Sequence, residues 1–300
     1  MSRGIDRDDF EREAQEEKQS RMTLSQGRSG SSGTSEQRRP RAEERTNGTG
    51  SAARSREPIG RYRVSPSEQQ TMTEIGRFRT VSVQDLTQYR YGGDVGQSRQ
   101  DLRNLAAQGL IEKRTVTVGR GQHKLTVVAL SKQGKRLIDR SRTANGQRIY
   151  SGIVKPREAG HDTAIYRMYQ VEAARIESDG GQIDRVVLDY ELKHDVYSPL
   201  AQAQNLPAPE YAHRQAEIAE QNGLVVVDGK IPLPDLRIEY ENADGERRHL
   251  DLELATEHYT RGQMSAKARA GFKMYGVVST SRGSRPEWEG RELTAGILGA

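Results

Sequence analysis

The sequence predicts a mixed α/β protein of α+β layout, with two folded modules behind a disordered N-terminal tail. Three observations carry this. Apolar residues make up only 33% of the 300, with 5% aromatics and a mean hydropathy of −0.87, so part of the chain falls outside any packed core. Charge is uneven: Lys and Arg exceed Asp and Glu by 3 over residues 1–66 and by 7 over residues 67–142, and fall short by 5 over residues 143–300. Helix-like and strand-like apolar spacings begin only near Ser67 and alternate from there to about Tyr275.

Several classes are excluded at once. The chain has no cysteine, which removes disulfide frameworks, thiolate zinc sites and cysteine nucleophiles, so a metal would need oxygen or imidazole ligands. No run approaches the roughly 18 consecutive apolar residues of a membrane span, and the N-terminus lacks the apolar stretch of a signal peptide. A cytoplasmic protein with no membrane partner is expected. The net charge of +5 and pI of 9.3 hint at an anionic partner, and the basic residues 67–142 are where phosphate binding belongs.

Residues 1–66 show no sustained apolar period, and residues 27–56 are dominated by Gly, Ser, Arg and Glu. Such composition buries too little surface to offset chain entropy, so disorder is expected throughout. Ile5, Phe10, Met22 and Leu24 are too sparse for more than a transient charged helix. The arginines add nonspecific DNA affinity on one reading and mark a solvated linker on the other.

From Ser67 the pattern changes. Ser67 and Gln70 have capping-box spacing, and Met72, Ile75 and Phe78 follow on one helical face. Ser82 and Asp85 open a second, short helix that presents Val83, Leu86 and Tyr89 inward before Gly92-Gly93. A third spans about Gly96 to Gln108, with Leu102, Leu105 and Ala106 apolar and Gly109 as its cap. Two alternating segments, Lys113 to Val118 and Lys124 to Leu130, flank a basic turn at Gly119-Arg120-Gly121-Gln122, and a closing helix starts at Ser131. Three helices and a basic hairpin are the order of a winged helix-turn-helix, and the string SRQDLRNLAAQGLIEKR resembles winged-helix regulators. Gln97, Ser98, Arg99, Arg103 and Asn104 are then the DNA-facing candidates on the third helix, with Arg120, His123 and Lys124 on the wing. The plainer alternative is a solvated helix face, or a winged helix used for protein docking.

Residues 158–276 read as a second α/β module. A helix over 160–178 buries Ile165, Met168, Tyr169, Val171 and Ile176, and a strand from Ile183 to Leu188 follows Gly180-Gly181. Another helix is expected from Pro209 to Gln221, then the apolar run Leu224 to Val227 before the Asp228-Gly229 turn. Leu236, Ile238 and Tyr240 alternate up to Asp244-Gly245, and Leu250, Leu252 and Leu254 alternate after it, predicting a hairpin. In that register Asp251 and Glu253 share a face and Asp235 opens the preceding strand, with Glu191 a fourth candidate. Clustered carboxylates suit Mg²⁺, which takes one or two of them plus phosphate and water. The alternative is the solvated face of an edge strand. Asp244 and Glu246 read as turn residues, and His161 as a capping or packing residue. His258 could approach the carboxylates, but no histidine spacing suits zinc. A helix is expected over about Thr260 to Tyr275, whose Lys267 and Arg269 are by default solvated, and residues 277–300 form a C-terminal tail.

Pro234-Asp235 and the string DLELA at 251–255 resemble the PD-(D/E)xK nucleases. That resemblance implies a restriction-endonuclease-like domain with a lysine two residues after the acid, which orients or activates the attacking water. Here that position is Ala255, so the role passes by implication to Lys267 or Lys273. Taken over 67–276, the winged-helix string with GHDTAIYRMYQVE, RVVLDYELKHD, PDLRIEY and LDLELATEHYTRGQMSAKARAGFKMY is similar to the replication-relaxation family of plasmid and mobile-element proteins. It implies a DNA-binding protein of plasmid replication or DNA relaxation, with duplex DNA and replication or transfer proteins as partners. A rival is an active Mg-dependent DNA endonuclease, with Asp235, Glu253 and Lys267 catalytic and Asp251 or Glu191 assisting. Another is a transcriptional regulator whose C-terminal part senses a ligand or forms a homodimer.

Overall fold

The computed structural model describes residues 57–59, 62–118, 123–141, 146–255, 259–276 and 292–294. The predicted tail up to residue 56, the wing tip with Arg120, and His258 lie outside them, as do residues 277–291 and 295–300. The chain is mixed α+β, as expected.

Order begins earlier than the composition suggests, because β1 (Glu57–Ile59) pairs antiparallel with β2 (Tyr62–Val64) and Val64 is fully buried. Helix α1 (Pro66–Arg77) starts at a capping box of Ser65 and Glu68, not Ser67 and Gln70. Pro66 explains the shift: its fixed φ and missing N–H suit the first helical position, so the cap falls on the residue before it. Next come β3 (Val81–Ser82), α2 (Val83–Arg90), capped by the Ser82 hydroxyl, and α3 (Val95–Ala107), capped by Asp94. Strands β4 (Ile111–Val118) and β5 (His123–Leu130) form the hairpin, and β5 also pairs with β3, giving the antiparallel order β3-β5-β4. Helix α4 (Lys132–Arg140) closes this part on a Ser131 cap. Its Gly134 is forced, since a Cβ there would stand 2.0 Å from the Leu110 carbonyl oxygen.

Helix α5 (Pro156–Ser178) leads into the second sheet. Its strands are β6 (Gln182–Leu188), β7 (Leu236–Glu241), β8 (Arg247–Ala255) and β9 (Lys273–Gly276), in that spatial order. β7 pairs antiparallel with both β6 and β8, and β9 runs parallel to β8. Helices α6 (Asp189–Ala203) and α7 (Ala208–Gln221) are inserted between β6 and β7. The run Leu224 to Val227 forms only an isolated bridge, Val227 to Lys230. Helix α8 (Arg261–Arg269) is shorter than the expected Thr260–Tyr275 span. Gly271, at φ 87°, takes the left-handed position that ends helices, and the following residues pair with β8.

The described residues belong to one compact unit. Its largest buried cluster joins Ile75, Phe78 and Leu86 to Tyr166, Tyr169, Leu236 and Leu252. Helix α5 makes that junction: Phe78 packs on the rings of Tyr166 and Tyr169 at 4.9 and 4.8 Å, and Arg167 pairs with Asp85 at 3.3 Å. A second cluster, with Val196, Ile218, Leu224 and Phe272, lies beneath the inserted helices.

Candidate functional site

Leucines 252 and 254 of β8 enter the core, so Asp251 and Glu253 point to the other face. There the two acids meet different surroundings. Glu253 is fully buried beside Asp235, which immediately precedes β7. The Asp235 amide donates to Glu253 Oε2 at 3.1 Å, and the Leu254 amide donates to Asp235 Oδ2 at 2.9 Å. Lys267 Nζ, from α8, donates to Glu253 Oε1 at 2.5 Å and to the Leu233 carbonyl at 2.7 Å, and the Tyr259 hydroxyl donates to the same Oε1. On the opposite side His161 Nε2 lies 3.5 Å from Asp235 Oδ2.

Burial pushes the Glu253 carboxyl up, and the Asp235 charge adds to this. Burial also acts to raise Asp235, but the His161 bond and charge, the Leu254 amide and Lys267 outweigh it and hold that carboxyl below its ordinary value. For His161, burial works against the charge, while Asp162 and Asp235 more than compensate and bring it to about 10. Two carboxylates thus face two cations. Among the described residues no three of His, Asp and Glu form a metal-holding set. The pair Asp235–Glu253 still fits the donor requirement of Mg²⁺, for which one or two carboxylates suffice.

Asp251 and Glu191 do not join this centre. Asp251 accepts from Arg237 Nε and Nη2 at 2.6 and 2.8 Å, a buried fork-on-carboxylate pair. The same guanidinium donates to the carbonyls of Asn222 and Gly223 past the end of α7. Glu191 accepts from Tyr150 and Arg185, each at 2.8 Å. Both acids are therefore occupied in holding elements together.

On α3 the polar side chains divide between two faces. Ser98 is buried with its hydroxyl on Thr87 at 2.7 Å, Gln97 donates to Asp101 at 2.5 Å, and Asn104 donates to Glu68 at 3.1 Å. Ser98 and Asn104 thereby hold α3 against α2 and α1, and Gln97 spends its amide on Asp101 within α3 itself. Arg99, Gln100 and Arg103 do face outward, and among the described residues neither arginine forms an ion pair. On the hairpin Lys113, Arg114 and Lys124 are exposed and His123 is half-buried.

No protein-family model matches the chain, and no curated protein matches it. Among solved structures it is similar to Bacillus subtilis PadR in complex with operator DNA. The identity is 16% over 51% of this chain and 92% of that one, with a TM-score of 0.20. No helix among the described residues is long and apolar enough to cross a membrane.

Two residues of the centre escape sequence reasoning. His161 reads as a cap, and only the packing of α5 against the sheet brings it to Asp235. Tyr259 follows a strand with no periodic signal of its own. Gln100, which stands outward beside Arg99, was also missed, although its place next to Arg99 and one turn before Arg103 was a signal that could have found it.

Proposed function

We propose that the chain binds duplex DNA, with the outer side of α3 in the major groove and the β4–β5 hairpin along the backbone. The carrying observation is the outward Arg99 and Arg103 on α3, neither of which forms an ion pair among the described residues. They belong to a segment, residues 67–142, with 14 Lys and Arg against 7 Asp and Glu. The order of three helices and a hairpin supports a winged-helix mode of docking. The resemblance to replication-relaxation proteins supports a role in plasmid or mobile-element DNA. Replacing both arginines by Ala should weaken binding to a duplex and reduce the slope of log affinity against log salt by about 2. Fluorescence anisotropy across a salt series measures this, and an unchanged slope would remove α3 from the interface.

A second reading is favoured by the 2.5 Å bond from Lys267 to Glu253, which supplies from α8 the lysine missing at Ala255. On this reading the centre hydrolyses a phosphodiester. A Mg²⁺ ion held by Asp235 and Glu253 would supply positive charge to the phosphoryl oxygens. Lys267 commits two of its three N–H groups to Glu253 and Leu233, leaving the third to orient an attacking water. His161 holds the Asp235 carboxylate from the far side. Supercoiled plasmid should be nicked in Mg²⁺ or Mn²⁺, and neither with EDTA nor by an Asp235→Ala, Glu253→Ala variant. A mobility shift without nicking would leave the binding function alone.

A further inference from the structure

The first turn of α3 carries an apolar residue that the fold does not use. Val95 is 57% exposed, more than Tyr89, Tyr197, Leu206, Val225 or Val226, the other large hydrophobic residues open to solvent among the described residues. It stands four residues before Arg99 and eight before Arg103, so the three line one side of the helix. The bonds of Ser98 to Thr87 on α2 and of Asn104 to Glu68 on α1 fix which side is inward, so Val95 cannot be turned into the core without breaking them. Asp94 already caps the helix, and valine adds nothing to helix propensity there. Its branched side chain does hold one preferred rotamer in a helix, which presents two methyl groups in a fixed place at little entropic cost.

We infer that Val95 is a specificity residue that packs on the 5-methyl group of a thymine. This rests on the proposal that α3 enters the major groove, where the thymine methyl is the apolar feature among donors and acceptors. The helix advances about 6 Å from Val95 to Arg99. Successive bases of one strand are about 3.4 Å apart. The thymine is therefore within about two base steps of the position that Arg99 contacts.

The test begins with selection of a preferred duplex from a random pool by the full-length protein. Each thymine of the selected site is then replaced singly by deoxyuridine, which deletes only the methyl group, and affinities are measured for the wild type and Val95→Ala. Thermal unfolding should show Val95→Ala folded with unchanged or higher stability, because the side chain is exposed and Ala is the better helix former. For the wild type, one deoxyuridine should weaken binding about fourfold, the worth of one methyl group removed from apolar contact. For Val95→Ala the same replacement should have no effect. Neutral deoxyuridine at every position in the wild type overturns the inference, as does an equal loss in both proteins. Failure to select or bind any duplex overturns the DNA-binding proposal itself and the inference with it, and is distinguished by the absence of wild-type affinity.

Discussion

Two acids two residues apart on one face of β8 illustrate how differently the same side-chain chemistry can be used. Asp251 is closed: Arg237 covers both of its oxygens, and the remaining guanidinium N–H groups satisfy the carbonyls beyond α7. Glu253 is also buried, but it adjoins a second carboxylate, Asp235, and the cations facing the pair arrive singly from α5 and α8. A closed pair serves cohesion. Two adjacent carboxylates in a buried place keep an unfavourable like-charge contact that a divalent cation or a proton would relieve.

The largest expected effect comes from breaking the closed pair. Asp251→Ala leaves a buried guanidinium uncompensated and should cost about 3–5 kcal/mol in denaturant unfolding. Combining Arg237→Met with Asp251→Leu should cost less than either single change, because no lone charge remains. About 1–2 kcal/mol should persist from the uncapped Asn222 and Gly223 carbonyls. A double variant as unstable as Asp251→Ala would show that the ion pair is not a closed unit.

Glu253→Gln should act in the opposite sense. It removes one of the two repelling carboxylates and leaves Lys267 its Leu233 carbonyl, so stability should stay within about 1 kcal/mol of wild type. The same variant should lose both plasmid nicking and any rise in melting temperature on adding Mg²⁺, since a ligand stabilises only the protein that binds it. A loss as large as that of Asp251→Ala, with Mg²⁺ stabilisation intact, would reverse the roles assigned to the two acids.

The sequence shows both acids on one face because a strand's period of two is visible in Leu250, Leu252 and Leu254. It does not show which acid is closed, because Arg237 is adjacent only through strand register and Asn222 only through the insertion of α6 and α7. Helix α6 was not expected: its stripe of Leu192, Val196 and Leu200 at intervals of four is interrupted by Pro199 and by the charges between. The β9 strand hides behind helix-compatible residues after Gly271, and pairing with β8 overrides their local preference. On α3 the same limit holds: a polar residue's facing depends on partners such as Glu68 and Thr87 that lie distant in the chain.

The smallest expected effect separates the two centres by pH. The open centre has a histidine, His161, against Asp235. Burial opposes its charge, yet its bonds to Asp162 and Asp235 bring its pKa in the folded chain to about 10, above the ordinary 6.5. A raised value means that its contribution to stability is complete below 6.5 and is lost as pH rises through about 10. With 36% of the side chain open to solvent, that contribution is small. Unfolding in EDTA at a series of pH values should therefore show wild type losing a little more stability than His161→Gln between about pH 6.5 and about pH 10. Parallel curves would mean that His161 is neutral beside Asp235, and the charge balance of the open centre would then rest on Lys267 alone.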